Sequence, residues 1–192
     1  MITTMKHKFI ENEICYTGKE LSPHWIYKNH NIQGDAIVSF IGVCEVKLTE
    51  MVDIEDVLDN SPIYSKKMLH FIVEHFNMNL VEGILRQRLL VTIARDIILE
   101  NKVNPNLLCR KGDDLFYNKG KLSVSIAAKS INSVLIHFGM NIDSSDAPVE
   151  AAGLKTEMNL QNFREIAEKI MISYCREYDE IINASVKVKG II

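Results

Sequence analysis

Apolar residues in this chain recur with two different periods. A four-residue recurrence runs through Asn79–Glu100, where Leu85, Leu89, Ile93 and Ile97 would stack as one helical stripe facing a sheet. Asn79 supplies a capping side chain and Glu82 follows at the third helical position, the spacing of a capping box. Asn104-Pro105 then stops the helix. A second long helix is predicted over about Asn159–Asn183, with Phe163, Ile166, Ile170, Tyr174, Tyr178 and Ile181 as its apolar stripe. A short helix is expected to start at Ser22-Pro23, with Ser22 as cap and Pro23 at the first helical position, carrying Trp25 and Ile26 to about Asn31.

The strand period appears between these helices. Phe9–Tyr16 reads as a first strand ending at Thr17-Gly18. Ala36–Ile41 reads as a strand broken at Gly42, with Val43–Val52 as its hairpin partner. Met68–Phe76 alternates, with Leu69, Phe71, Val73 and His75 on one face and His70, Ile72 and Glu74 on the other. Its β-branched and aromatic content favours a strand. Leu107–Arg110, Asp114–Tyr117, Lys121–Ala128 and Ser133–Ile142 read as consecutive strands, and Asp143–Gly153 as a surface loop. The fold class expected is α+β, a mixed and mostly antiparallel sheet packed by two long helices.

Composition narrows the function classes. With 192 residues, 47% of them hydrophobic, and no Pro/Gly-rich linker, the chain is expected to be one domain over 1–192 with a substantial core. A net charge of −3 argues against broad nucleic-acid binding, which calls for a basic face. Cys15, Cys44, Cys109 and Cys175 form no CxxC pair, so an all-cysteine zinc site is not expected, and buried thiols in a reducing cytoplasm are. No stretch reaches roughly 18 uninterrupted apolar residues, so neither a membrane span nor a signal peptide is expected.

Candidate chemistry centres on Gly112–Ile142. Lys121 follows the turn Asn118–Gly120 at the start of a strand, where an ammonium can hold a carboxylate or polarise a carbonyl. The alternative is an ordinary exposed hairpin lysine. Asp113 and Asp114 precede the turn and would point to opposite faces, leaving Asp114 as the candidate acid. His137 stands mid-strand as acid, base or donor, with Gly139 and Asn141 on its face. Gly139 would leave that face open to a ligand or to close packing. Arg88 shares a helical face with Ile84 and Arg95, either as a solvated stripe or as an anion clamp. His70 and Glu74 share a strand face but His75 does not, so no metal site is expected. Cys44 is conceivable as a nucleophile, though nothing adjacent would lower its pKa.

These same residues resemble the central hairpin of biotin and lipoate protein ligases. Asp113-Asp114-Leu115 stands where that family has Asn-Asp-Leu, and Gly120-Lys121-Leu122-Ser123-Val124-Ser125 where it has its lysine strand. Ile136–Ile142 looks like the Gly-hydrophobic-Asn strand that follows. Over nearly its full length the chain also resembles a largely archaeal family, domain-of-unknown-function family number 366. The resemblance implies a ligase-like fold and an acyl- or carboxylate-handling enzyme, either an acyltransferase or an adenylate-dependent ligase. Lys121 would hold the acyl or carboxyl group, with Asp114 and His137 as further catalytic residues. Arg88, Gly139 and Asn141 would bind substrate, a small acidic or acyl ligand. The cofactor stays open. The region from Gly34 to Phe76 contains only Gly34 and Gly42, too few for a glycine-rich phosphate cradle, and Val124 replaces a glycine beside the acyl chain. A non-catalytic binding domain that has lost its phosphate loop, and a structural homodimer subunit, are the alternative readings.

Overall fold

The computed structural model describes residues 5–145, 147 and 149–191. In chain order they form β1 (Lys6–Phe9), α1 (Trp25–His30), β2 (Ala36–Val46), a 3-10 turn (Leu48–Glu50), α2 (Ile54–Leu58), β3 (Ile63–Phe76), α3 (Leu80–Glu100), β4 (Leu108–Lys111), β5 (Asp114–Tyr117), β6 (Gly120–Lys121), β7 (Ser123–Lys129), β8 (Ser133–Asp143) and α4 (Phe163–Lys187). A five-stranded sheet has the order β1-β2-β3-β8-β7, and β4-β5-β6 make a three-stranded sheet. Only the β1–β2 pairing is parallel among these strands. The α+β class, the mixed sheet and the two long helices agree with the sequence reading.

Alternation along β3 and β8 gives the large sheet two apolar faces. Leu69, Phe71, Ile136 and Phe138 face α3 and α4, against Leu90, Ala94, Ile166 and Ile170. Phe40, Met68 and Ile72 face the opposite way, against Tyr16 and Ile26 of the N-terminal segment. Glu74 pins that segment down. Its buried carboxylate accepts the His24 backbone N–H at 2.9 Å and the Ser133 hydroxyl at 2.7 Å. On the helix side, His75 lies between the Asp35 carboxylate (3.4 Å) and the Tyr174 hydroxyl (2.8 Å), tying α4 to β3.

Several local expectations are corrected. The first strand is Lys6–Phe9, and Tyr16 contributes only an isolated bridge to Cys44. The cap of α1 is His24 in the left-handed region, not Ser22, although the helix does end at Asn31. β2 passes through Gly42 with a bulge instead of breaking, because a side chain there would strike the Ile14 backbone that crosses it. Its hairpin partner is β3, reached across the 3-10 turn and α2, not Val43–Val52.

α3 has its capping box on Asn79 and Glu82, but its buried face is Gly83, Gln87, Leu90, Val91, Ala94, Ile97 and Ile98. Leu85 is 63% exposed. A four-residue recurrence precesses by roughly 40° per step on a helix of about 3.6 residues per turn, so a row begun at the exposed Leu85 packs against the core at Ile93 and is buried only at Ile97. The strands from Leu107 to Ile142 lie close to where they are expected, except that the single strand expected over Lys121–Ala128 is split at Leu122 into β6 and β7, which belong to different sheets.

Candidate functional site

Three neighbouring strands place a polar pair inside the apolar face opposite α3 and α4. Register sets Phe40 beside His70, and Ile72 beside His137. The two imidazoles meet, His70 Nδ1 to His137 Nε2 at 3.1 Å, and His70 Nε2 lies 3.4 Å from the Gly42 carbonyl oxygen. A carbonyl only accepts, so the chain of bonds fixes both tautomers. His70 Nε2–H donates to Gly42, His70 Nδ1 accepts from His137 Nε2–H, and His137 Nδ1 keeps its lone pair. Burial lowers His70 to about 3, with the Gly42 bond opposing. Burial, and then the neighbouring His70, hold His137 well below its ordinary value. Both rings are therefore neutral at physiological pH. The Tyr16 ring stacks on His137 at 3.7 Å between centroids.

His137 lines a cavity of about 480 Å³ that extends from Tyr16 and Met68 to Lys121 and α2. Lys121 reaches it from the β5–β6 hairpin. Asn118 takes the left-handed turn conformation that asparagine tolerates (φ 56°). Gly120 lets the strand approach the Ala151 backbone, where any β-carbon would collide. Lys121 pairs through its backbone with the Glu150 oxygen (3.0 Å) and the Ala152 N–H (2.9 Å), and its ammonium meets Asp114 at 2.8 Å. Asn141 donates its amide to the carbonyls of Lys121 and Ala152, both at 3.3 Å. It lines the cavity and also fixes the lysine strand in place.

The structure thus gathers Lys121, Asp114, His137 and Asn141 around one cavity. It does not bring in the other two candidates. Gly139 is absent from the cavity wall because the Met68 side chain occupies the space beside its α-carbon. Arg88 is exposed on α3, away from the cavity lining. Its neighbour Gln87 is the buried residue, donating to Asp113 (2.9 Å) and to the Ser125 hydroxyl. Gln87, Tyr16 and Asp56 escaped the sequence reading. Only a correct helical face would have singled out Gln87, and Tyr16 and Asp56 reach the cavity from segments distant in sequence.

The remaining candidates have other surroundings. Cys44 is fully buried and burial pushes its thiol up to about 12, which leaves no thiolate for attack. His70 and His75 lie on opposite sheet faces with separate partners. Among the described residues no group of three or more His, Cys, Asp or Glu is placed to hold a metal ion. No described helix is long and apolar enough to cross a membrane.

Solved structures share this architecture. A protein of unknown function from Pyrococcus horikoshi superposes with a TM-score of 0.89 at 32% identity, covering 97% of this chain and 100% of its own. The biotin protein ligase from Aquifex aeolicus in complex with biotin and ATP gives 0.57 at 14% identity, covering 90% of this chain and 72% of that one. The biotin protein ligase from Leishmania major in complex with biotinyl-5-AMP gives 0.56 at 15%, covering 97% and 85%. At such identities the ligases show a shared fold alone. In sequence, the uncharacterized protein MJ0805 of Methanocaldococcus jannaschii is 38% identical over 179 residues, 90% of this chain and 79% of that protein. A family model matches residues 5–189, and the chain belongs to that family, Domain of unknown function (DUF366).

Proposed function

We propose that this domain binds a small acyl compound in the cavity below the large sheet, with Lys121 donating to the acyl oxygen. The supporting observation is the Lys121–Asp114 pair at 2.8 Å, set in the same cavity wall as His137 and Asn141. One carboxylate engages one of the three ammonium donors, so others remain to polarise a carbonyl. Asp114 both orients and neutralises the lysine, which favours a neutral carbonyl over a free carboxylate as its ligand. The fold shared with enzymes solved on biotin and biotinyl-5-AMP supports small-molecule binding and acyl handling, as an acyltransferase or adenylate-dependent ligase.

A second reading, a binding module without adenylation chemistry, is favoured by Gly42. Of the two glycines between 34 and 76, this one is packed against the Ile14 backbone and has no room for a phosphate. Calorimetric titration with ATP and magnesium separates the two. Micromolar affinity supports the ligase, and its absence supports the binding module.

Acyl binding itself is tested with hexanamide, by NMR titration of the wild type and of Lys121→Ala. A charge-assisted bond of about 1.5–3 kcal/mol predicts a loss of roughly tenfold or more in affinity. Lys121→Arg is not expected to restore it, because a planar fork does not replace a point charge. Equal affinity in Lys121→Ala would reduce Lys121 to an ordinary hairpin lysine.

A further inference from the structure

Arg88 takes no part in the cavity, but it meets a second arginine elsewhere. Arg110 lies on the face of the β4–β5 hairpin that turns towards α3. It alternates with Leu108 and pairs with Leu115, and both leucines share a core with Leu90 of that helix. Arg88 reaches the same hairpin from α3. A β-carbon at Gly112 would lie 3.9 Å from Nη2 of Arg88, and Nη1 of Arg110 donates to the Gly112 carbonyl. Two guanidinium groups from different elements therefore converge on one glycine turn.

No negative charge separates them. Among the described residues neither arginine has a carboxylate within ion-pair distance. The nearby acids have other partners: Asp113 accepts from Gln87 at 2.9 Å, Asp114 is held by Lys121 at 2.8 Å, and Asp96 meets Arg95 at 3.2 Å. Lys111 alternates to the opposite face of the hairpin, over the Phe116 ring. Nothing but Arg88 comes within 4 Å of a β-carbon at Gly112, so the space over the turn is open, and both arginines are exposed to it. Two unpaired like charges repel, and an anion placed between them exchanges that repulsion for two attractions.

Guanidinium chemistry selects the anion. Each arginine carries five N–H donors in a planar fork, of which the Gly112 carbonyl engages only one group on Arg110. A carboxylate has two oxygens and is filled by a single fork. A phosphate ester presents three acceptor oxygens and close to two negative charges, enough for both forks. We infer that Arg88 and Arg110 form a phosphate-monoester site over the β4–β5 turn, outside the acyl cavity and independent of it.

Methyl phosphate at low ionic strength is the probe, titrated by NMR against the whole chain. Saturable binding at about millimolar affinity is expected, with the largest shifts at the Gly112 and Asp113 amides. Arg88→Ala and Arg110→Ala should each weaken it roughly fivefold or more, since charge-assisted bonds are lost. Arg88→Lys should not restore it, because a point charge does not reproduce a fork. Both side chains are exposed, so the variants should keep the fold, and unchanged amide shifts away from the turn check this. Acetate should bind several-fold more weakly, and inorganic phosphate within about twofold of the ester. Unchanged methyl phosphate affinity in either alanine variant would overturn the site, as would acetate binding equally well. Binding of inorganic phosphate without methyl phosphate would overturn the monoester. Shifts that never saturate and spread over other basic residues would mean an adventitious ion only. Displacement of methyl phosphate by hexanamide would overturn a site separate from the cavity.

Discussion

The buried histidines govern how this protein responds to acid. His70 and His137 are held neutral by burial, and His75 is also lowered by burial although its bond to Asp35 opposes. An unfolded chain takes up protons on all of them below about pH 6.5, and the native chain does not. Stability is therefore full above that value. It should fall as pH drops through 6.5 towards the folded values, about 3 for His70. Each such histidine contributes a slope of up to about 1.4 kcal/mol per pH unit. Urea unfolding at pH 7.5, 6.5 and 5.5 measures the sum, and a flat profile would mean that the rings are charged in the native state. Arg88 gives a contrasting expectation at this scale. It is exposed and off the cavity wall, so Arg88→Ala should leave hexanamide affinity unchanged within error; a tenfold loss would return it to the site.

Among the elements, α3 shows propensity and packing in opposition. Asn79→Ala removes the side-chain cap on the Glu82 N–H, leaves the Asn79 N–H bonded to the Glu82 carboxylate, and should cost about 1 kcal/mol. Gly83→Ala should gain about 1 kcal/mol on helix propensity alone. Yet a β-carbon at Gly83 would run into Val134 of β8, and overpacking of this kind costs about 1–3 kcal/mol. Net destabilisation in denaturant unfolding is expected, and a stabilised variant would show that α3 can lift off the sheet without penalty. In β2 the obstacle at Gly42 is the Ile14 backbone, whereas at Gly139 it is the flexible end of Met68. Gly42→Ala should therefore lower the melting temperature more than Gly139→Ala does, because a thioether can move aside and a crossing main chain cannot. Equal melting temperatures would remove that distinction.

On the scale of the whole molecule, the small sheet is not a separate unit of packing. Leu108, Leu115 and Leu122 share one core with Leu90 of α3 and Phe138 of β8. Calorimetry should show one cooperative transition, and two resolved transitions would make β4-β5-β6 a separable subdomain. Much of this architecture was legible in local pattern. The capping box at Asn79 and the alternation of Met68–Phe76 each depend on residues within a few positions of one another, whereas α3 ends at Glu100, before Asn104-Pro105, with Lys102 in the left-handed region. Local sterics and period determine the box and the alternation, and so the α+β class followed from sequence. The site was legible only in part. Lys121 and Asp114 flank one tight turn, so their proximity is a matter of hairpin geometry, and their ion pair at 2.8 Å reflects it. The partnership of His137 with His70 depends on the register of β3 against β8, and the Tyr16 stack on the fold of a distant segment. Gly139 was read as leaving its face open either to a ligand or to close packing, and Met68 across the sheet decides for packing. The face of α3 that is buried, the passage of β2 through Gly42, and the carboxylates gathered around Lys121 were likewise decided by tertiary packing. By itself the sequence determined the two long helices, the central strands and which residues could carry charge, because those depend on near neighbours. Tertiary structure decided which side chains meet, because long-range pairing sets a register that no local period encodes.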